Sequence, residues 1–221
     1  MTTDRLPLAD KLMLILLRSD GKVMSGGYTD LILGGAVLSD LILHGRIDVA
    51  GQGESVKAGR LVVRSTVPVG DELLDTALQE LIDRPGNRPS SVVRTLVKQD
   101  TVLRRLTADR IVSAAPRRVL WVFPVSSWPT LDGRRADQVR RHLQRVLDGS
   151  ARPEPETAVL VMLLFAGGML HKTVPTDDRK AQKASAKHLA QDEWAPAKMR
   201  KALQDVAAGV TSAVTALATG E

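Results

Sequence analysis

Cysteine is absent from the 221 residues. Disulfides and thiolate metal sites are therefore excluded, and the composition suits a reducing cytosol. A long hydrophobic run is missing as well. The longest clean apolar stretch, Ala158 to Leu170, has thirteen residues, whereas a membrane-crossing helix needs about 20. That length predicts a buried core helix. A secretory leader is not expected: the start carries both signs of charge, the run Leu12 to Leu17 is short, and no small-residue cleavage site follows. Catalytic motifs are missing too. His44, His142, His171 and His188 are scattered, and none forms the i, i+4 pair with glutamate that a zinc helix needs. There is no Walker loop, no dinucleotide fingerprint and no Gly-x-Ser-x-Gly elbow. Asp71, Glu72, Asp75 and Glu80 read as a solvated helix face, not as an acid–base pair. The chain is expected to have no enzymatic activity, no cofactor and no metal site.

What is present is a globular composition, 43% hydrophobic and 25% charged, with 31 Lys and Arg against 25 Asp and Glu. The resulting charge of +6 invites an anionic partner. The excess is local. Val93 to Arg145 holds twelve basic residues and four acids, a segment charge of +8. If the fold gathers these side chains, a phosphate-rich partner is attracted to one face, less strongly as salt rises.

The patterning predicts a mainly α protein, a single-domain helical bundle over residues 6–218 with two short β-hairpins. Leu6 to Arg18 reads as a buried helix, broken by Ser19-Asp20-Gly21. A second helix runs from Thr29 to about His44. It carries Gly34-Gly35, whose cost of about 2 kcal/mol against alanine implies close packing or a nearby ligand. Gly45 is a suitable C-terminal cap residue for it. Arg46 to Val49 and Arg60 to Thr66 form the first expected hairpin. Asp71 to Asp83 has a helical stripe of Leu73, Leu74, Ala77, Leu78 and Leu81. A helix carrying Val92, Val93, Leu96 and Val97 follows, and another spans Thr101 to about Asp109. Arg110 to Ser113 and Val119 to Phe123 are the expected strands of a second hairpin. Leu131 to Leu147 is an amphipathic helix with Ala136, Val139, Leu143 and Val146 inward and Arg141 and Arg145 on its outer, basic face. After the helix of Glu156 to Leu170 comes a polar helix with Lys180, Lys183 and Lys187. Ala195-Pro196 begins the next element, and Val206 to Ala218 closes the chain as a helix.

Two stretches resemble the Golgi phosphoprotein 3 family. Leu38-Ser-Asp-Leu-Ile-Leu-His-Gly-Arg-Ile47 is similar to its leucine-rich helix ending in Gly-Arg-[Leu/Ile]. Pro68-Val-Gly-Asp-Glu-Leu-Leu-Asp-Thr-Ala-Leu78 resembles its Pro-x-Gly-Asp-x-Leu-Leu-Asp-x-Ala-Leu motif. The opening helix Leu8 to Leu17, with Asp20-Gly21, and the order of elements from Leu103 to Phe123 agree. A prokaryotic, bacterial member is expected, and the high ratio of Arg to Lys, with many Ala and Val, suits a GC-rich genome.

That resemblance implies non-enzymatic binding of an anionic phospholipid headgroup, phosphatidylinositol 4-phosphate or a bacterial analogue, by a cytoplasmic protein peripheral on the inner face of a membrane. Eukaryotic relatives also link glycosyltransferase tails to a vesicle coat. The family places a tryptophan in the turn after the first helix, where Lys22 and Met24 are nearest in character here. Its second-helix arginine falls at about Gly34, and its mid-chain arginine pair lies beside Arg104 and Arg105. These five positions are the expected headgroup site, with Arg141 and Arg145 widening the basic face. Val119, Trp121 and Phe123 are the expected self-association hairpin of a homo-oligomer. No coat partner is inferred, because only five residues precede Leu6. Two rivals stand beside this reading. A winged helix would bind nucleic acid, but the reading helix would offer only Asp30, Ser39, Asp40 and His44. The other is a protein-interaction scaffold without a lipid role.

Overall fold

Helix α2 (Thr29–Leu43) is apolar on nearly every side, and every residue from Leu31 to Ile42 is buried. Such a helix has no solvent face and must be wrapped by other elements. A computed structural model, which describes residues 6–24, 26–119 and 123–220, shows what wraps it. Among the described residues α1 (Leu8–Leu16), α7 (Pro155–Ala166) and α10 (Ala197–Thr219) pack most extensively against α2. Two of them, α1 and α7, are themselves buried along most of their length.

The paired glycines of α2 make this approach possible. A Cβ on Gly34 would lie 2.4 Å from the Val93 carbonyl oxygen, and one on Gly35 would lie 2.7 Å from Val210 Cγ2 and 2.8 Å from Leu163 Cδ2. Of the two explanations open from sequence, packing is the one realised: both positions face protein atoms.

The amphipathic elements form the outer layer: α3 (Glu72–Asp83), the single-turn α4 (Pro89–Val92), α5 (Gln99–Ala108), α6 (Arg134–Leu147), the single-turn α8 (Leu170–Thr173) and α9 (Arg179–Leu189). The inward stripe of α6 is Ala136, Val139, Leu143, Val146 and Leu147, as its periodicity predicts. The first hairpin pairs β1 (Ile47–Val49) with β2 (Leu61–Val63), Asp48 opposite Val62.

The second hairpin is displaced from the expected one. Strand β3 is Ala115–Val119 and pairs with β4, Phe123–Ser127. Ala114 to Arg118, expected as the turn, is mostly strand, and Val119 and Phe123 face each other at the end of the ladder. Arg110 to Ser113 contributes only an isolated bridge from Val112 to Thr130. Pro116 misleads here, since an edge strand with one partner tolerates proline.

Several helix boundaries also differ, among them that of the expected helix from Glu156 to Leu170, which ends at Ala166. Helix α10 begins at Ala197 and runs unbroken through Gly209. That glycine is no break: a Cβ there would lie 2.9 Å from both Pro89 Cβ and Ser90 N. Helix α6 starts at Arg134, not Leu131, and the expected helix over Val92 to Val97 is helical only in the single turn α4. Among the described residues no helix is long and apolar enough to cross a membrane.

Candidate functional site

Asp10 and Lys11 interrupt the apolar run of α1, and both are buried. Each needs a partner, because a buried charge without one is costly. Arg105 on α5 supplies the partner for Asp10. Its Nε donates to Asp10 Oδ2 at 2.9 Å, and its Nη1 donates to Asp71 Oδ1 at 2.8 Å. Nη2 bonds the second oxygen of Asp71, making that contact two-pronged. Asp71 is also the N-cap of α3, where its carboxylate accepts from the backbone N–H groups of Leu73 and Leu74. One guanidinium thereby ties together α1, α3 and α5. Burial pushes the Asp10 carboxyl up to about 6, with the Arg105 charge opposing that rise.

Asp40, also buried, reaches from α2 to the start of α1, where its Oδ2 accepts the Leu8 N–H at 2.7 Å. Pro7, the residue that would cap α1, makes no side-chain cap bond, so a carboxyl from another helix does that work. Burial raises the Asp40 carboxyl to about 8; the Leu8 hydrogen bond opposes the shift, Glu156 adds to it, and Lys11 opposes it. Asp30 performs the same service for α5, accepting the Gln99 N–H at 2.8 Å.

These contacts revise the expected headgroup site. Arg105 is an internal clamp: its Nε and both Nη atoms are already bonded to carboxylates of the protein. Gly34 lies against the backbone of Val93, with no space for a guest. Arg104 points outward, exposed, and donates to Thr101 Oγ1 at 3.4 Å. Lys22 is exposed in the turn after α1, and Met24 is half-buried against the core. The five positions therefore do not form one recess. The wider basic segment is divided among tasks in the same way. Arg140 reaches across to α1 and donates to the carbonyls of Ile15 and Leu17 at 3.0 and 3.1 Å. Lys98 pairs with Asp30 at 3.2 Å. Trp121 lies outside the described residues, as do the side chains of Val119 and Phe123.

Arg141 and Arg145 are placed differently. Both are exposed on α6 and line a cavity of about 440 Å³ between α6, α1 and the start of α7. His142, Lys11, Glu154 and Glu156 line it too. Lys11 forms an ion pair there with Glu156; the lysine side chain is 8% exposed and the glutamate 50%. Among the described residues, neither Arg141 nor Arg145 forms an ion pair or a side-chain hydrogen bond. Such a cavity can receive a small anionic group on charge-assisted hydrogen bonds without first breaking an internal arginine pair. The outer face of α6 was legible as basic; the parts played by Lys11, Glu154 and Glu156 were not. The one local signal was a lysine set within an otherwise apolar helix. Grouped His, Cys, Asp or Glu side chains suited to hold a metal are absent among the described residues.

No curated protein matches this chain. The family model described as Golgi phosphoprotein 3 (GPP34) matches residues 8–206. That match begins at the first residue of α1 and ends within α10, so it takes in every other element and both motif stretches. The chain belongs to the Golgi phosphoprotein 3 (GPP34) family.

Proposed function

We propose that this protein is a non-enzymatic, peripheral membrane protein that binds a phospholipid headgroup in an anionic membrane. The family resemblance names phosphatidylinositol 4-phosphate as the first lipid to test, and the cavity beside α6 is the proposed site. One observation carries this reading. Arg141 and Arg145 stand exposed at the edge of a 440 Å³ cavity, and neither guanidinium forms an ion pair or hydrogen bond among the described residues. Anionic lipid adds attraction of about 1 kcal/mol per basic residue near a membrane surface.

Vesicle flotation of the full chain tests it. Wild type is expected to float with vesicles containing phosphatidylglycerol or phosphatidylinositol 4-phosphate and to remain behind with phosphatidylcholine alone. Arg141→Glu with Arg145→Glu is expected to lower binding about tenfold or more, given the two charges reversed. Equal flotation of the double variant would reject the site. Flotation independent of lipid charge would reject the function.

A further inference from the structure

The cavity beside α6 has two walls of opposite sign. Helix α6 contributes Arg141 and Arg145, while the start of α7 contributes Glu154 and Glu156. Opposite charges around one small space would ordinarily close on each other. Here they do not: no ion pair joins either arginine to either glutamate among the described residues. Glu156 is taken by Lys11 through one carboxylate oxygen, Oε2. Glu154 is exposed and makes no side-chain hydrogen bond or ion pair within the described chain. The charge of Arg145 also acts on Asp148, whose carboxyl is held below its ordinary range first by hydrogen bonds from Ser150 and least by that arginine. The arrangement leaves a basic wall, an acidic wall and room between them.

We propose that this cavity selects a head that carries a phosphate and a primary ammonium on one small group, the chemistry of an ethanolamine phosphate. The phosphate lies against Arg141 and Arg145, and the ammonium lies against Glu154 and the unpaired oxygen of Glu156. A purely anionic head, phosphatidylinositol 4-phosphate included, would still bind the basic wall but more weakly, because the acidic wall would face negative charge. This inference rests on the reading of the cavity as a headgroup site and names its ligand class. The same chemistry occurs in an aminophospholipid at a membrane and in a free small molecule.

Titration calorimetry of the full chain with O-phosphoethanolamine and with glycerol 3-phosphate tests the ligand class. Both compounds carry a phosphate monoester, and only the first carries an amine. O-Phosphoethanolamine is expected to bind about tenfold more tightly, as one charge-assisted hydrogen bond would give. Glu154→Gln, at an exposed position, is expected to erase most of that preference and to tighten glycerol 3-phosphate, because it removes a charge that repels the phosphate. Equal affinities, or a preference that survives Glu154→Gln, would overturn the proposal.

A vesicle arm separates the two sources. Phosphatidylethanolamine is added to phosphatidylglycerol vesicles at constant anionic content. More wild-type protein on these vesicles, with no gain for Glu154→Gln, assigns the ligand to the membrane. A preference seen only with the soluble compound assigns it to a free molecule. If vesicles fail to bind and the soluble preference stands, the membrane reading falls and this inference survives. Charge-dependent flotation with no amine preference in either arm does the reverse.

Discussion

The Asp40 carboxyl is 4% exposed and spends one oxygen on the Leu8 N–H. Its folded value of about 8 stands well above the roughly 3.9 of an unfolded aspartate. The native state therefore holds this proton more tightly than the unfolded chain does. The stability it contributes is complete below about pH 4 and is lost as pH rises toward 8. Asp10, raised to about 6, acts in the same direction over the lower part of that window. Asp40→Asn keeps an acceptor for Leu8 and removes the titration. Its melting temperature is expected to match wild type near pH 4 and to exceed it by a few degrees at pH 8. A constant difference across that range, measured by circular dichroism melts, would contradict the assignment. Arg105 makes the complementary case. Arg105→Met leaves the fully buried Asp10 without its cation, at an expected cost of about 3 kcal/mol in denaturant unfolding. Adding Asp10→Asn should recover part of that loss, since the two residues share one interaction. Vesicle association per folded molecule should not change, which separates an internal clamp from a headgroup ligand.

Helix α2 is where sequence and packing agree most closely. Gly34→Ala would drive a methyl group into the Val93 carbonyl, whose oxygen lies 2.4 Å from that Cβ position. The expected loss is about 2 to 3 kcal/mol, read from denaturant midpoints, although alanine is the better helix former by about 1 kcal/mol. The same geometry explains why kinship was easy to read and the site was not. In Pro68 to Leu78, Asp75 accepts the N–H groups of Val69 and Gly70, while Asp71 caps α3 and grips Arg105. In Leu38 to Ile47, Asp40 serves the start of α1, and Arg46 donates to the carbonyls of His44 and Pro68. These motifs are capping devices, and local spacing displays them. The cavity is assembled from α1, α6 and the start of α7, with Lys11 and Glu156 separated by 145 positions. No periodicity joins them. Charge counting found the α6 arginines but could not tell a free guanidinium from Arg105, whose partners lie 95 and 34 positions away. The displaced second hairpin has a similar cause, since its pairing depends on a partner strand more than on local propensity.

At the scale of the whole molecule, buried side chains from Leu6 to Ala213 belong to one contiguous hydrophobic cluster. Helix α10, distant in sequence from α2, packs along it and against α4 and α7. A core continuous in this way is expected to come apart as one unit. Two tryptophans allow a test. Trp128 is half-buried near the turn after α1, where its backbone N–H donates to the Gly21 carbonyl at 2.8 Å. Trp194 lies between α9 and α10 and donates its indole N–H to the Leu189 carbonyl at 2.8 Å. Variants in which Trp121 is replaced and only one of these two tryptophans is kept should give the same urea midpoint by fluorescence as by far-UV circular dichroism. Separate midpoints would divide the chain into two folding units and overturn the single-domain expectation. Coincidence would also bear on function. The α6 arginines stand on a helix packed against α1 and α7, so the rim of the cavity would remain positioned for as long as the core is intact.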